Sequence, residues 1–369
     1  MYIHDNRIVI TLDAGGTNLV FGAMRGCEYI TAPITYPSNA DNLDLCLATI
    51  VKGFREVIDS LDEKPVAISF AFPGPADYPN GIIGGYLPNF PSFRNGVALG
   101  PFLAREFGIP VFINNDGDLF AYGEALCGVL PAINRRLKSS GCTKQYHNLI
   151  GYTLGTGFGI GIVIDGKLNR GDNSCVETFC LPHKTKPGVM VEEGVSIRAV
   201  QRVYRELSGD DRDNLMPKDI CEIADGKQPG DTEAAKKAFE ELGETAGHVI
   251  AIAASLIDGI IVIGGGLTGA RHLMIDAIMK ELRESVTTLD GSKVSCVQPE
   301  VFYLDDPDEF EKFSAGARST ILIPGTDIPV VYDPMKRIGV VFSEIGASKA
   351  TSVGAYAFAL SQLDSHTNE

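Results

Sequence analysis

Three glycine-rich turns follow hydrophobic runs: Asp13-Ala14-Gly15-Gly16-Thr17, Gly155-Thr156-Gly157-Phe158-Gly159, and Gly264-Gly265-Gly266. Glycine lets the backbone approach an anion without a Cβ, and lets successive N–H groups point into one nest. One such cluster could be no more than a tight hairpin. Three in one chain, one carrying Asp13 and two carrying Thr17 and Thr156, point to phosphate. A fourth group, Asn114-Asn115-Asp116, falls where a strand-like run gives way to a helix. Side chains are held firmly there, and capping the helix is the plain use of an aspartate at that place.

Two common nucleotide motifs are excluded. No GxxxxGK[ST] occurs, so the phosphates do not sit on a P-loop. The alternating glycines from Gly155 to Gly161 run into Ile162-Val163-Ile164 and Asp165-Gly166, a second strand and a turn, whereas a dinucleotide fingerprint must open a helix.

The elements that must position these groups alternate. Ile8–Leu12 and Leu19–Met24 read as strands on either side of the first turn, Leu43–Leu61 as a helix, and Val66–Phe72 as a strand stopped by Pro73-Gly74-Pro75. Leu99–Phe107 reads as a helix, Val111–Ile113 as a strand, and Leu119–Leu126 as a helix. Further on, Ala234–Ile257 and Leu273–Leu282 read as helices around the strand Ile260–Ile263, and Ser352–Leu363 closes the chain as a helix before a frayed HTNE end. This is an α/β layered pattern. Thr11–Thr17 can be laid over Thr153–Gly159, strand, turn and strand in both, which suggests two related α/β domains with a cleft between them. The expected division is 1–118, with the closing helix 352–363 packed back on it, and 119–351, with an insertion hairpin near 305–344.

DAGGTN, FPGPAD, LPNFPSF, INNDGDLFAYGEA, LGTGFGIGIVIDGKL and IVIGGGL, in this order and spacing, resemble the ROK family of sugar kinases and sugar-responsive repressors, within the sugar kinase/Hsc70/actin superfamily. The likeness covers about residues 8–168 and 191–279, and weakens over 169–190 and 305–352. It implies two actin-like (ribonuclease H-like) domains and ATP-dependent phosphorylation of a hexose-like sugar. Gly15, Gly16, Thr17, Gly155, Thr156 and Gly157 would contact ATP phosphates, Asp13 would help hold Mg²⁺, and Gly264, Gly265 and Gly266 would approach the adenosine. Asp116 matches the family's general base, against the helix-cap alternative. Asn89, Asn115, Glu177 and Glu192, with Asp116 itself, match positions that bind sugar hydroxyls. Glu192 is aligned by its four-residue interval to Ser196, with Glu193 as the competing assignment.

One segment departs from the family. Where GExGH and a zinc-binding CxCGxxGCxE are usual, this chain reads SCVETFCLPHKTKPGVMVEEG. Cys175, Cys180 and His183 supply at most three soft ligands, short of a closed structural zinc site, so structural zinc is not expected. The same departure leaves glucose, mannose, fructose and N-acetylated amino sugars open as substrates.

The composition is that of a globular protein: 369 residues, 44% hydrophobic and 21% charged, a length suited to two domains. A formal net charge of -15 argues against nucleic acid, which needs basic surface. The eight scattered cysteines show no paired framework and read as free thiols of a reducing cytoplasm. No signal peptide or membrane span is expected; the apolar run 250–263 is broken by Ser255, Asp258 and Gly259. A non-catalytic sugar-sensing regulator is the alternative function, but Asp13 lies too near the start to leave room for a DNA-reading module. An actin- or chaperone-like ATPase would have no need of the LPNF and NND groups. The family resemblance also suggests a homodimer.

Overall fold

The computed structural model describes residues 2–74 and 76–366. Pro75 in the turn after the third strand, and residues 367–369 of the frayed end, lie outside the described residues. The chain forms two compact units, one of residues 1–131, 160–176 and 344–369, the other of 132–159 and 177–343. Beyond the closing helix, the first unit thus runs on past residue 118 to 131 and takes in residues 160–176. Helix Asp116–Leu126 packs along the closing helix Ala347–His366, and this contact keeps both in the first unit.

The first unit is built on a six-stranded sheet in the order Glu28–Tyr29, Asn18–Arg25, Val9–Ala14, Ala67–Ala71, Val111–Asn114, with Ile34–Pro37 also paired to Asn18–Arg25. Side chains alternate across such a sheet, so each strand feeds two cores. Ile10, Leu12, Phe21, Ile68 and Phe70 face helix Leu43–Asp59, in a cluster with Phe54, Phe72, Phe90 and Phe93. Val9, Met24 and Ala67 point the other way, onto Val353, Tyr356 and Leu360 of the closing helix. Full burial of a phenylalanine contributes about 1.5–3 kcal/mol, so the aromatic cluster is a main support of this unit. Asn42 starts helix Leu43–Asp59 by accepting the Leu45 N–H at 3.1 Å, one of the donors a helix start leaves unpaired.

In the second unit Leu149–Leu154, Ile260–Gly264, Arg337–Phe342 and Glu300–Tyr303 lie side by side, all parallel. The sheet order continues from Leu149–Leu154 to Phe158–Ile164 and then Lys167–Leu168, of which residues 160–168 are counted in the first unit. Helix Thr232–Ile257 runs against helix Arg271–Leu282. Both repeats picked out in the sequence are the same object, two neighbouring strands joined by a glycine turn: Val9–Ala14 with Asn18–Arg25, antiparallel, and Leu149–Leu154 with Phe158–Ile164.

Two expectations are corrected. The segment 305–344 is not one insertion hairpin: it holds helix Pro307–Ala315, an exposed hairpin Ser319–Leu322 with Pro329–Tyr332, and the fully buried sheet strand Arg337–Phe342. An apolar β-branched run reads alike in an exposed and a buried strand, so periodicity could not separate them. Nor are all thiols free, because Cys27 and Cys127 are joined as a disulfide, whereas Cys46, Cys142, Cys175, Cys180, Cys221 and Cys296 are free. These two partners lie 100 residues apart, a separation no local spacing reveals.

Candidate functional site

In the first unit, Asp13 sits near the end of the strand Val9–Ala14, exposed, and Ser348 Oγ donates to its Oδ2 at 2.6 Å. The turn that follows is closed by Gly15 N–H donating to Asn18 O at 2.9 Å. Ser38 Oγ donates to Gly16 O, and Ser38 N–H donates to Thr17 O at 2.9 Å, so the turn is pinned from outside. A Cβ at Gly16 would stand 3.0 Å from Asn89 Cβ. The turn and Asn89 are therefore neighbours, although 73 residues separate them. Asn89 itself is exposed, but the next residue, Phe90, is buried with its ring 4.6 Å from that of Phe72. That aromatic anchor fixes a loop residue which would otherwise wander.

Strand Val111–Asn114 delivers the carboxylates. Asn115 is the helix cap, its Oδ1 accepting Gly117 N–H at 2.8 Å. Asp116 stands at the first helical position, so the capping role is not its own. It is open to solvent, and Gly117 N–H reaches its Oδ1 at 2.9 Å. Desolvation pushes its carboxyl pKa up and the nearby Asp13 charge adds to this, while the N–H groups of Gly117 and Asp116 oppose it.

Below it lies a group the sequence reading missed. Asp118 is 6% exposed, and burial raises its pKa from 3.8 to about 7; the Arg170 charge opposes the rise and Asp116 adds to it. Arg170 Nη1 donates to Oδ1 of the fully buried Asn114 at 2.9 Å. The repeated aspartate of Asp116-Gly117-Asp118 was the available signal. It spoke only for a helix start, where acidic residues are common.

In the second unit Gly155 N–H donates to Gly157 O at 3.1 Å, and the turn is buttressed by Glu192. Glu192 Oε2 accepts Phe158 N–H at 3.2 Å and would lie 2.7 Å from a Cβ at Gly157. Arg198, also missed in the sequence, donates to Glu192 Oε1 at 2.9 Å, to Glu193 Oε1 at 2.8 Å and to Thr156 O at 3.3 Å. Ser196 Oγ donates to Glu192 O at 2.9 Å, the physical content of the four-residue interval. Glu177 is half-buried in the divergent segment. His183 is buried; its Nδ1 accepts Thr185 N–H at 3.2 Å, and burial, with nearby positive charge, lowers its pKa. Cys175 and Cys180 are exposed, and the structure does not gather them with His183 into one ligand group among the described residues.

Gly265 has φ +99, and a Cβ there would fall 2.2 Å from Leu154 O, so the third turn requires glycine on both counts. A Cβ at Gly266 would meet nothing within 4 Å. That open face forms one wall of a 460 Å³ cavity that also touches Pro217, Cys221, Phe239, Leu267 and Ala270.

Two six-stranded sheets, each carrying a strand–glycine turn–strand hairpin, make up the two-domain, actin-like fold. The ROK family profile matches residues 9–302, and the chain belongs to that family, in its sugar-kinase branch. A crystal structure of glucokinase from Parabacteroides distasonis is 58% identical, with a TM-score of 0.90, covering 98% of this chain and 99% of that one. The glucokinase of Thermotoga maritima is 25% identical over 291 residues, 74% of this chain and 86% of its own length. A ROK family glucokinase from Streptomyces griseus, crystallised with glucose and AMPPNP, shares the fold at 21% identity and a TM-score of 0.60, covering 94% and 97% of the two chains.

Proposed function

We propose that this chain moves the γ-phosphoryl group of ATP to a hydroxyl of a hexose, glucose first among them, with Asp116 as the general base. The observation that carries the assignment of the base is the position of Asp116, a solvent-open carboxylate at a strand end, beside a cap already supplied by Asn115. Phosphoryl transfer needs an aligned hydroxyl, neutralised phosphate charge and a proton acceptor, and little else from the protein. Asp116 accepts the hydroxyl proton. Gly15, Gly16, Thr17, Gly155, Thr156 and Gly157 offer backbone N–H groups to the phosphates, and Gly264, Gly265 and Gly266 approach the adenosine, with Gly266 lining the 460 Å³ cavity. Asn89, Asn115, Glu177 and Glu192 hold the sugar hydroxyls. A carboxylate has about four acceptor sites, so Glu192 can serve a sugar while keeping its bonds to Phe158 and Arg198.

The exposed carboxylate of Asp13, bound on one oxygen by a neutral serine, fits an Mg²⁺ ion carried with ATP. That ion supplies charge neutralisation at the phosphates. The 58% identity to a glucokinase supports glucose. A cytoplasmic homodimer completes the reading, with small-molecule partners and no nucleic acid.

The test is Asp116→Asn, assayed across glucose, mannose, fructose and N-acetylhexosamines. Turnover should fall ~10²–10⁴-fold, the range of general-base assistance, with sugar affinity little changed. Near-normal turnover would remove the catalytic assignment.

A further inference from the structure

The cavity beside the third glycine turn has a second wall whose chemistry differs from that of the first. Helix Pro217–Ala224 presents Cys221 there and ends at Asp225, four residues on, and thus on the same face. His272 enters from the second position of helix Arg271–Leu282. One ligand atom from each of Cys221, Asp225 and His272 lies within 4.8 Å of the others, and His272 Nε2 is 2.9 Å from Asp225 Oδ1. Cys221 is half-buried while the other two are exposed, so an ion has a path in. Lys227 Nζ binds the other oxygen, Asp225 Oδ2, at 2.8 Å, and this orients Oδ1 toward the histidine.

We propose that Cys221, Asp225 and His272 bind one soft divalent cation of the zinc class, with water in the fourth position. One thiolate, one imidazole and one carboxylate are a zinc donor set with an open site. Magnesium, which prefers an all-oxygen shell, is excluded by the same donors. Tetrahedral bonds of about 2.0–2.3 Å require ligand atoms roughly 3–4 Å apart. The histidine and aspartate lie 2.9 Å apart, and the sulfur is within 4.8 Å of both, near that spacing. On binding, the Cys221 thiol loses its proton to solvent as the sulfur–metal bond forms. Only the consequence for catalysis rests on the nucleotide reading of the cavity: a cation on this wall would oppose adenosine on the Gly266 wall.

Cobalt(II) titration of the metal-free full chain, without ATP or magnesium, tests the site. Wild type should develop a thiolate-to-cobalt charge-transfer band in the near ultraviolet, abolished by zinc. Cys221→Ser should lose the band, and His272→Ala should weaken cobalt affinity by at least about tenfold. Thermal midpoints of both variants check folding; the residues lie at the cavity surface. No band in wild type overturns the proposal, and so does an undiminished band in Cys221→Ser, which would place the cobalt on another cysteine. Adenosine, which carries no phosphate to chelate cobalt, is then titrated by calorimetry with and without the metal. Weaker binding of adenosine to the cobalt form supports site and consequence together. With the Cys221-dependent band present and adenosine affinity unchanged, the cation site stands and the nucleotide reading of this cavity fails.

Discussion

At the scale of single residues, the candidate site is governed by where charge is allowed to sit. Asp118 shows this most sharply, because its carboxyl is held at about 7 by burial, against 3.8 when free. A raised folded-state pKa means that the native state favours the protonated form. The contribution to stability is therefore complete below about 4, is lost as pH rises to about 7, and is flat above. Asp118→Asn carries no charge to bury. Its thermal midpoint relative to wild type should climb between pH 4 and 7 by on the order of 10 °C, given ~1.4 kcal/mol for each pKa unit and ~2–4 °C per kcal/mol for domains of this size. A difference independent of pH would show that Arg170 keeps the carboxylate ionised throughout. Arg198 offers a second residue-scale test. It ties Glu192 to the Gly155–Gly157 turn, so Arg198→Ala should raise the KM for ATP about tenfold, the loss of one charge-assisted hydrogen bond. A rise confined to the sugar would show that Arg198 acts only through Glu192 and not through the turn.

At the scale of elements, helix contact decides where Asp116 stands. Helices Asp116–Leu126 and Ala347–His366 approach so closely that a Cβ at Gly354 would fall 1.8 Å from Leu119 O, and one at Gly123 2.1 Å from Ala350 O. Backbone, unlike a side-chain tip, cannot swing aside. Gly354→Ala should therefore push the helices apart at a cost of about 1–3 kcal/mol, the usual range for overpacking, and lower the thermal midpoint by several degrees. Since Asp116 begins the displaced helix, turnover should fall as well, even at temperatures where the variant is folded. A Gly354→Ala variant with wild-type stability would mean that the two helices have room this packing denies them.

At the scale of the whole molecule, the hairpin Ser319–Leu322 with Pro329–Tyr332 stands apart. All eight of its strand residues are exposed, and among the described residues its strands pair only with each other. Replacing 320–331 with a short glycine-serine link should leave turnover and thermal midpoint near wild type. A large loss of stability would show that the hairpin supports the buried strand Arg337–Phe342 beyond it. Light scattering should give a mass of about twice the 39.5 kDa chain if the homodimer suggested by the family is formed, and a single-chain mass at micromolar concentration would dismiss it. No helix among the described residues is long and apolar enough to cross a membrane.

Local chemistry made much of this protein legible in its sequence. Glycine turns after β-branched runs, the repeat of Thr11–Thr17 in Thr153–Gly159, and the ordered motifs identify family and fold, because backbone freedom and period-two burial are written in a few adjacent residues. The tertiary structure alone decided what depends on distant partners. Asn115 rather than Asp116 caps the helix, and Asp118 meets Arg170 from 52 residues away. Cys27 pairs with Cys127, and Arg337–Phe342 is a core strand while the similar run Pro329–Tyr332 is bare. Cys221, Asp225 and His272 converge only when two helices dock. Burial and proximity belong to the packed chain, and a residue's type records neither.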